Sequence, residues 1–243
     1  MTHTVRIALR TTELLRAREV FPPSGEVLEI GGGNGWQASQ LASWGYRVHS
    51  IDVELQPALH FPVQLYDGVH LPFPDRSIDL IFSSNVLEHV VQRPELFEEM
   101  RRVLKLDGRM VHVVPSASWR FWTSLAHYPY VVKRIVSLPF APRAAAAAAP
   151  PVPTSAPSRA LRRVRQVLWP GAHGEDGSML AELATYSRWG WRRVFKAARL
   201  EVAYEGRAGL FYTGYSLLPW LSISARTAMA RILGSACHIF VTR

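Results

Sequence analysis

The stretch Val27-Leu28-Glu29-Ile30-Gly31-Gly32-Gly33-Asn34-Gly35 decides how the rest of the chain is read. Glu26 to Ile30 has the composition of a short buried strand, and the glycines stop it. Glycine lets a backbone turn tightly and approach a ligand with no Cβ in the way. A helix is expected behind the loop, through Leu41 to Trp44 and ending at Gly45, with free N–H groups at its start. The spacing is neither Gly-x-Gly-x-x-Gly nor a phosphate loop, and no lysine follows to meet a phosphate. Glu29 adds a carboxylate inside the strand end.

Outward from this loop, apolar strands alternate with helical spacing. Upstream, Val5 to Val20 reads as a helix stopped by Pro22-Pro23. Downstream, Tyr46 to Ile51 is a second strand closing on Asp52, Val63 to Tyr66 a third closing on Asp67, and Ile78 to Ser83 a fourth. Val86 to Val91 and Pro94 to Leu104 read as helical, Asp107-Gly108 as a break, and Arg109 to Val114 as a fifth strand. Such alternation of apolar strands and helices indicates a parallel sheet covered by helices. Asp52, at a strand end, is placed to accept hydrogen bonds from ribose hydroxyls or to cap a helix. Asp67-Gly68, followed by Leu71-Pro72-Phe73-Pro74, is an acceptor beside an apolar wall, which fits an adenine; the plain alternative is a turn residue.

These pieces, with Ser77-Ile78-Asp79-Leu80-Ile81, Asn85-Val86-Leu87-Glu88-His89-Val90 and Arg102 to Arg109, fall in one order over residues 25–115. In that order they resemble a class I S-adenosylmethionine-dependent methyltransferase, of the methyltransferase type 11-like group that includes small-molecule and quinone methyltransferases. The resemblance implies an α/β, Rossmann-like, seven-stranded, mostly parallel sheet with helices on both faces and an insertion after strand five. It implies S-adenosyl-L-methionine as cofactor, held by Glu29, Gly31, Gly33, Gly35, Asp52, Asp67, Gly68 and Asn85. Glu29 and Gly31 would meet the methionine part, Asp52 the ribose and Asp67 the adenine amino group. Residues 1–115 form the cofactor half. Residues 116–185 form a basic and aromatic insertion with an Ala/Pro-rich linker at 143–158. Residues 186–243 supply a helix (Ser187 to Ala198) and two closing strands (Leu200 to Glu205, Cys237 to Thr242).

Methyl transfer from a sulfonium needs alignment, and a base only when the acceptor holds a proton. His89 follows the fourth strand, near the expected methyl position; it acts as a base, or it orients its helix together with Glu88. His173, in His173-Gly174-Glu175-Asp176, is a second acceptor-side base, part of a weak metal site with the two acids, or part of an exposed polar loop. His127, Tyr128, Tyr130, Tyr212 and Tyr215 line the acceptor or simply pack. Some quinone O-methyltransferases place a metal on an acid-rich version of the 85–89 segment; Asn85 stands at the first of those acids, so no metal is expected. The reading is an O-methyltransferase of a small-molecule, glycan or lipid-linked acceptor. The alternative is a non-catalytic, methyltransferase-like scaffold, against which the intact Glu29, Asp52 and Asp67 argue.

Hydrophobic residues make up 48% of the 243 and charged residues 19%, which excludes a wholly disordered chain. A lone cysteine, Cys237, excludes an intramolecular disulfide and a cysteine-rich zinc site, and suits a reducing compartment. No secretory signal is visible, so a cytoplasmic location is expected. Residues 1–115 carry 11 basic and 14 acidic residues, but residues 116–200 carry 13 and 3. In the insertion, arginines mix with Trp119, Phe121, Trp122, Tyr128 and Tyr130, and a basic helix is expected at Ser158 to Leu168. This pattern suits an anionic membrane surface, a nucleic-acid groove or a lid over the acceptor. The charge-free stretch Ala208 to Ala225 holds too much Gly, Ser and Pro for a spanning helix. It favours an amphiphilic acceptor and peripheral binding at the inner face of the membrane. Nucleic acid is not expected, because no RNA-binding module is evident.

Overall fold

The computed structural model describes residues 2–57, 59–137, 171–175, 177–213, 215 and 218–243. Helix α1 (Thr2–Arg18) leads into β1 (Glu26–Ile30), α2 (Trp36–Ser43), β2 (Arg47–Asp52) and the two-residue β3 (Gln64–Leu65). Then come β4 (Ile78–Ser84), a single 3-10 turn (Leu87–His89), α3 (Arg93–Val103), β5 (Leu104–Pro115) and α4 (Ala117–Ser137). Past the undescribed residues 138–170 lie α5 (Met179–Thr185), α6 (Arg188–Ala197), β6 (Val202–Arg207), α7 (Ile223–Leu233) and β7 (Cys237–Thr242).

The seven strands form one sheet in the order β3-β2-β1-β4-β5-β7-β6. β1 to β5 run parallel, and β7 lies antiparallel between β5 and β6. This is the expected Rossmann-like sheet. Strand residues alternate between its faces. Val27, Leu80, Phe82, Val111 and Val113 pack on one face with Leu14 and Ala17 of α1 and Leu41 of α2. Leu28, Ile30, Ile81, Met110 and Val114 pack on the other with Phe97 and Met100 of α3 and Trp191 and Phe195 of α6.

The chain leaves β1 for β2 and β3, then crosses back to β4 on the other side of β1. The crevice between the carboxyl ends of β1 and β4 is therefore the switch point where such sheets bind ligands.

Three expectations change. Val86 to Val91 is not a helix but the one 3-10 turn Leu87–His89, because Asn85, at φ 55, turns the chain sharply out of the strand. β5 begins at Leu104, not Arg109; it runs through Asp107-Gly108 with a register shift between Ile78 and Leu80 of the neighbouring strand. The apolar start of the insertion is an ordered helix, α4, carrying Pro129 inside it. The linker at 143–158 and the helix expected at Ser158 to Leu168 lie outside the described residues.

Candidate active site

A cavity of about 660 Å³ opens at the switch point, a size suited to a small ligand. One wall is the glycine loop, where Gly31, Gly32 and Gly33 face the space. Gly33 has φ +56, and a Cβ there would meet no protein atom within 4 Å. Glycine thus keeps both the left-handed turn and the space above it clear. Asp52, at the end of β2, accepts the Gly33 N–H through Oδ2 at 2.7 Å and the Val53 N–H through Oδ1 at 2.7 Å. Oδ1 also accepts the Glu54 N–H at 3.3 Å, so Oδ2 is the oxygen with a second lone-pair site for a ligand hydroxyl.

Asp67 and Gly68 lie farther along the same cavity, with Tyr66 and Val53. Asp67 is tied into its own turn, accepting the N–H groups of Val69 and His70 at 2.8 and 2.7 Å. A 2.6 Å contact with the His70 ring leads in holding its carboxyl at about 2. Burial and the Asp52 carboxylate push the Tyr66 phenol up to about 12.

Two residues expected at the cofactor are not on the cavity wall. Glu29 is buried beneath the loop and accepts the Ser50 hydroxyl at 2.6 Å. Burial pushes its carboxyl up to about 8, and among the described residues its Oε1 has no hydrogen-bond partner within normal length. Gly35, at φ 74, is the N-cap of α2.

Helix α1 supplies a wall that the sequence reading missed. Arg6, Ile7 and Arg10 face the cavity. Arg10 donates to Glu13 and to Ser84 Oγ, both at 3.1 Å, and the Asn85 amide donates to Glu13 at 3.4 Å. The Cys237 thiol closes the group on Asn85 Oδ1 at 3.5 Å. Asn85 therefore reaches the cavity, but its side chain is turned into this polar cluster. The signal was present: Leu9, Glu13 and Ala17 recur every four residues, an acid on an otherwise apolar stripe.

On the opposite wall His89 faces the cavity, and His173 meets it edge to face with ring centroids 5.0 Å apart. Trp119 packs against His173 at 4.7 Å. Burial depresses both imidazoles below their usual range, which favours the neutral form that a base or a metal ligand needs. The segment bearing His173 is fastened from below. Arg120 Nε donates to Glu182 Oε2 at 2.5 Å, and Arg120 Nη2 donates to the Gly171 carbonyl at 2.6 Å. Glu182 Oε1 accepts the His173 and Gly174 N–H groups at 2.5 and 2.6 Å. Of the tyrosines expected at the acceptor, Tyr212 donates to the Leu9 carbonyl at 3.4 Å. Tyr128 is exposed, and the side chain of Tyr130 lies outside the described residues.

Residues 28–112 match the family described as Methyltransferase domain. Over these residues, fewer than half of the chain, it is similar to methyltransferase domains. The chain also matches the biotin biosynthesis bifunctional protein BioHC of Cellvibrio japonicus, 38% identical over 92 residues, which are 34% of this chain and 18% of that protein. An uncharacterized methyltransferase of Mycobacterium leprae is 37% identical over 101 residues, 37% of each chain. The matches thus span less than half the length of these curated relatives. In fold the likeness is wider. An S-adenosylmethionine-dependent methyltransferase from Mesorhizobium loti has TM-score 0.54 at 16% identity, covering 96% of this chain and 97% of its own. Geranyl diphosphate C-methyltransferase from Streptomyces coelicolor has TM-score 0.54 at 13% identity, covering 96% and 78%. The methyltransferase domain match ends at His112, so Trp119, Arg120, His173 and Glu182 fall beyond it.

Proposed function

We propose that the chain transfers a methyl group from S-adenosyl-L-methionine to an oxygen of a small-molecule, glycan or lipid-linked acceptor. The observation that carries this is Asp52 braced on the Gly33 N–H, beside a cleared glycine loop at the switch-point cavity. The residues fit the cofactor: a carboxylate for ribose hydroxyls, Asp67 with Tyr66 and Val53 for an adenine, and space above Gly33. When bound, the cofactor supplies an already activated methyl group on sulfur. The chain's own task is alignment. Its glycine loop and Asp52 hold the donor; His89 and His173 close the acceptor side and are the groups that would activate a hydroxyl. Incubating the chain with labelled methyl donor and membrane or soluble extract tests this, with the labelled product identified afterwards. Cofactor binding with no turnover on any acceptor would favour a non-catalytic scaffold instead.

Asp52→Ala removes charge-assisted hydrogen bonds, and should weaken cofactor binding by about 1–3 kcal/mol, roughly 5- to 150-fold. Calorimetric titration measures this, and an unchanged affinity would take Asp52 out of the site.

A cytoplasmic enzyme resting on an anionic membrane fits a lipid-linked acceptor. No helix among the described residues is long and apolar enough to cross a membrane. Phe121, Leu125 and Tyr128 recur on one side of α4 and are 51%, 51% and 45% exposed, so an apolar stripe faces outward. Residues 116–169 carry eight basic residues and no acid, and all but Arg120, buried against Glu182, are available to such a surface by sequence. Each basic residue near a lipid surface contributes about 1 kcal/mol, and salt screens the attraction. Co-sedimentation should therefore be strong with anionic vesicles at low salt and weak at high salt or with neutral lipid. Equal, negligible binding in all four conditions would rule the idea out.

A further inference from the structure

We propose that Glu88, His89 and His173 form a site for a divalent transition-metal cation of the zinc class on the acceptor-side wall of the cavity. One ligand atom from each residue lies within 4.8 Å of the other two. Ligands about 2.0–2.1 Å from a tetrahedral zinc ion stand about 3.3 Å apart, so turning two half-exposed imidazoles completes the set. Glu88 has the fixed position. It is wholly buried, and among the described residues neither of its carboxylate oxygens has a hydrogen-bond partner. His89 Nε2 is 3.9 Å from Glu88 Oε1, beyond hydrogen-bond length. A buried carboxylate without hydrogen bonds either takes up a proton or is met by a cation, and a cation held by two neighbouring imidazoles would displace that proton. Two imidazoles and one carboxylate are a set that leaves coordination positions open.

The third ligand is held in place by the fold. The Glu175 N–H donates to the Glu88 carbonyl at 3.0 Å, which sews the His173 segment onto the 3-10 turn. Gly174 permits this approach, since a Cβ there would fall 2.4 Å from the Glu88 carbonyl oxygen. The Arg120–Glu182 pair grips the same segment from beneath. This set differs from any read in the 85–89 segment alone. Asn85 takes no part, being engaged with Glu13 and Cys237, and His173 comes from beyond α4. Because His89 lines the cavity, an open position would face an acceptor oxygen; that consequence rests on the methyl-transfer reading, whereas the site itself does not.

The test is titration of the untagged, chelator-treated full chain, without cofactor, by zinc in a calorimeter and by cobalt in visible absorption. Wild type is expected to bind one ion, with tetrahedral cobalt bands. His173→Ala, on an exposed loop, and Glu88→Gln, which keeps the side-chain volume, should each weaken binding at least about tenfold. His49→Ala, a histidine of β2 away from the cluster, should bind as wild type does. Magnesium, which prefers oxygen ligands, should not compete. No zinc bound at one equivalent, or equal affinity in wild type and both ligand variants, would overturn the site. Zinc bound by a chain that fails to bind cofactor would support the site and sink the methyl-transfer reading.

Discussion

Glu182→Ala should cost the folded chain about 3–5 kcal/mol, the usual consequence of removing one partner of a buried ion pair. Glu182 and Arg120 are 0% and 3% exposed. With the carboxylate gone, the guanidinium is buried with no counter-charge, and the His173 and Gly174 N–H groups lose their acceptor. Arg120→Met combined with Glu182→Met should lose less than Glu182→Ala alone, because no unpaired charge remains. The double variant still leaves two backbone donors unmet, so it should not regain wild-type stability. Urea midpoints for the three proteins measure this. A loss below about 1 kcal/mol for Glu182→Ala would mean that water reaches Arg120 and that the pair does not hold the segment. The same variant should also loosen zinc binding, since the pair fixes where His173 sits.

That pair marks the boundary of what the sequence could disclose. β1, α2, β2 and β4 were legible because each is a local pattern: an apolar run closed by glycine or aspartate. The carboxyl-end placement of Gly33, Asp52 and Asp67 followed from the same runs. α4 was not legible, because Ala117–Ser137 holds Pro129 inside it and its pattern is inverted: Phe121, Leu125 and Tyr128 face outward while Arg120 and Ser124 are buried. α7 was hidden behind the charge-free residues before it, although Ser222 caps it through the Ala225 N–H at 3.2 Å. Glu88, His89 and His173 were each singled out in the sequence, but their meeting as one cluster could not be read there. His173 sits in a polar loop like many others, and only the folding of α4 and α5 carries it to the 3-10 turn. Glu29 shows the converse: a motif residue whose place in the pattern suggested ligand contact and whose burial puts it one layer below.

Glu29→Gln should flatten the pH dependence of stability between about pH 5 and pH 8. Burial, only partly offset by the Ser50 hydroxyl, raises the Glu29 carboxyl to about 8 in the folded chain, against 4.5 as its ordinary value. An acid raised on folding binds more protons folded than unfolded across that window. Its contribution is complete below about pH 4.5 and is lost as pH climbs towards 8, at up to about 1.4 kcal/mol per pH unit. Glutamine has nearly the same shape, keeps an oxygen for the Ser50 hydroxyl and has no proton to lose. The two proteins should therefore be of similar stability near pH 5, and the variant the more stable by several kcal/mol at pH 8. Glu88 is raised in the same direction by burial, but it is present in both proteins and cancels in the difference. Urea unfolding of the cofactor-free, metal-free chains at pH 5, 6.5 and 8 measures the two slopes. Parallel slopes would mean that Glu29 is ionised in the folded chain throughout, held so by the Ser50 hydroxyl and the Ala38 N–H against its burial.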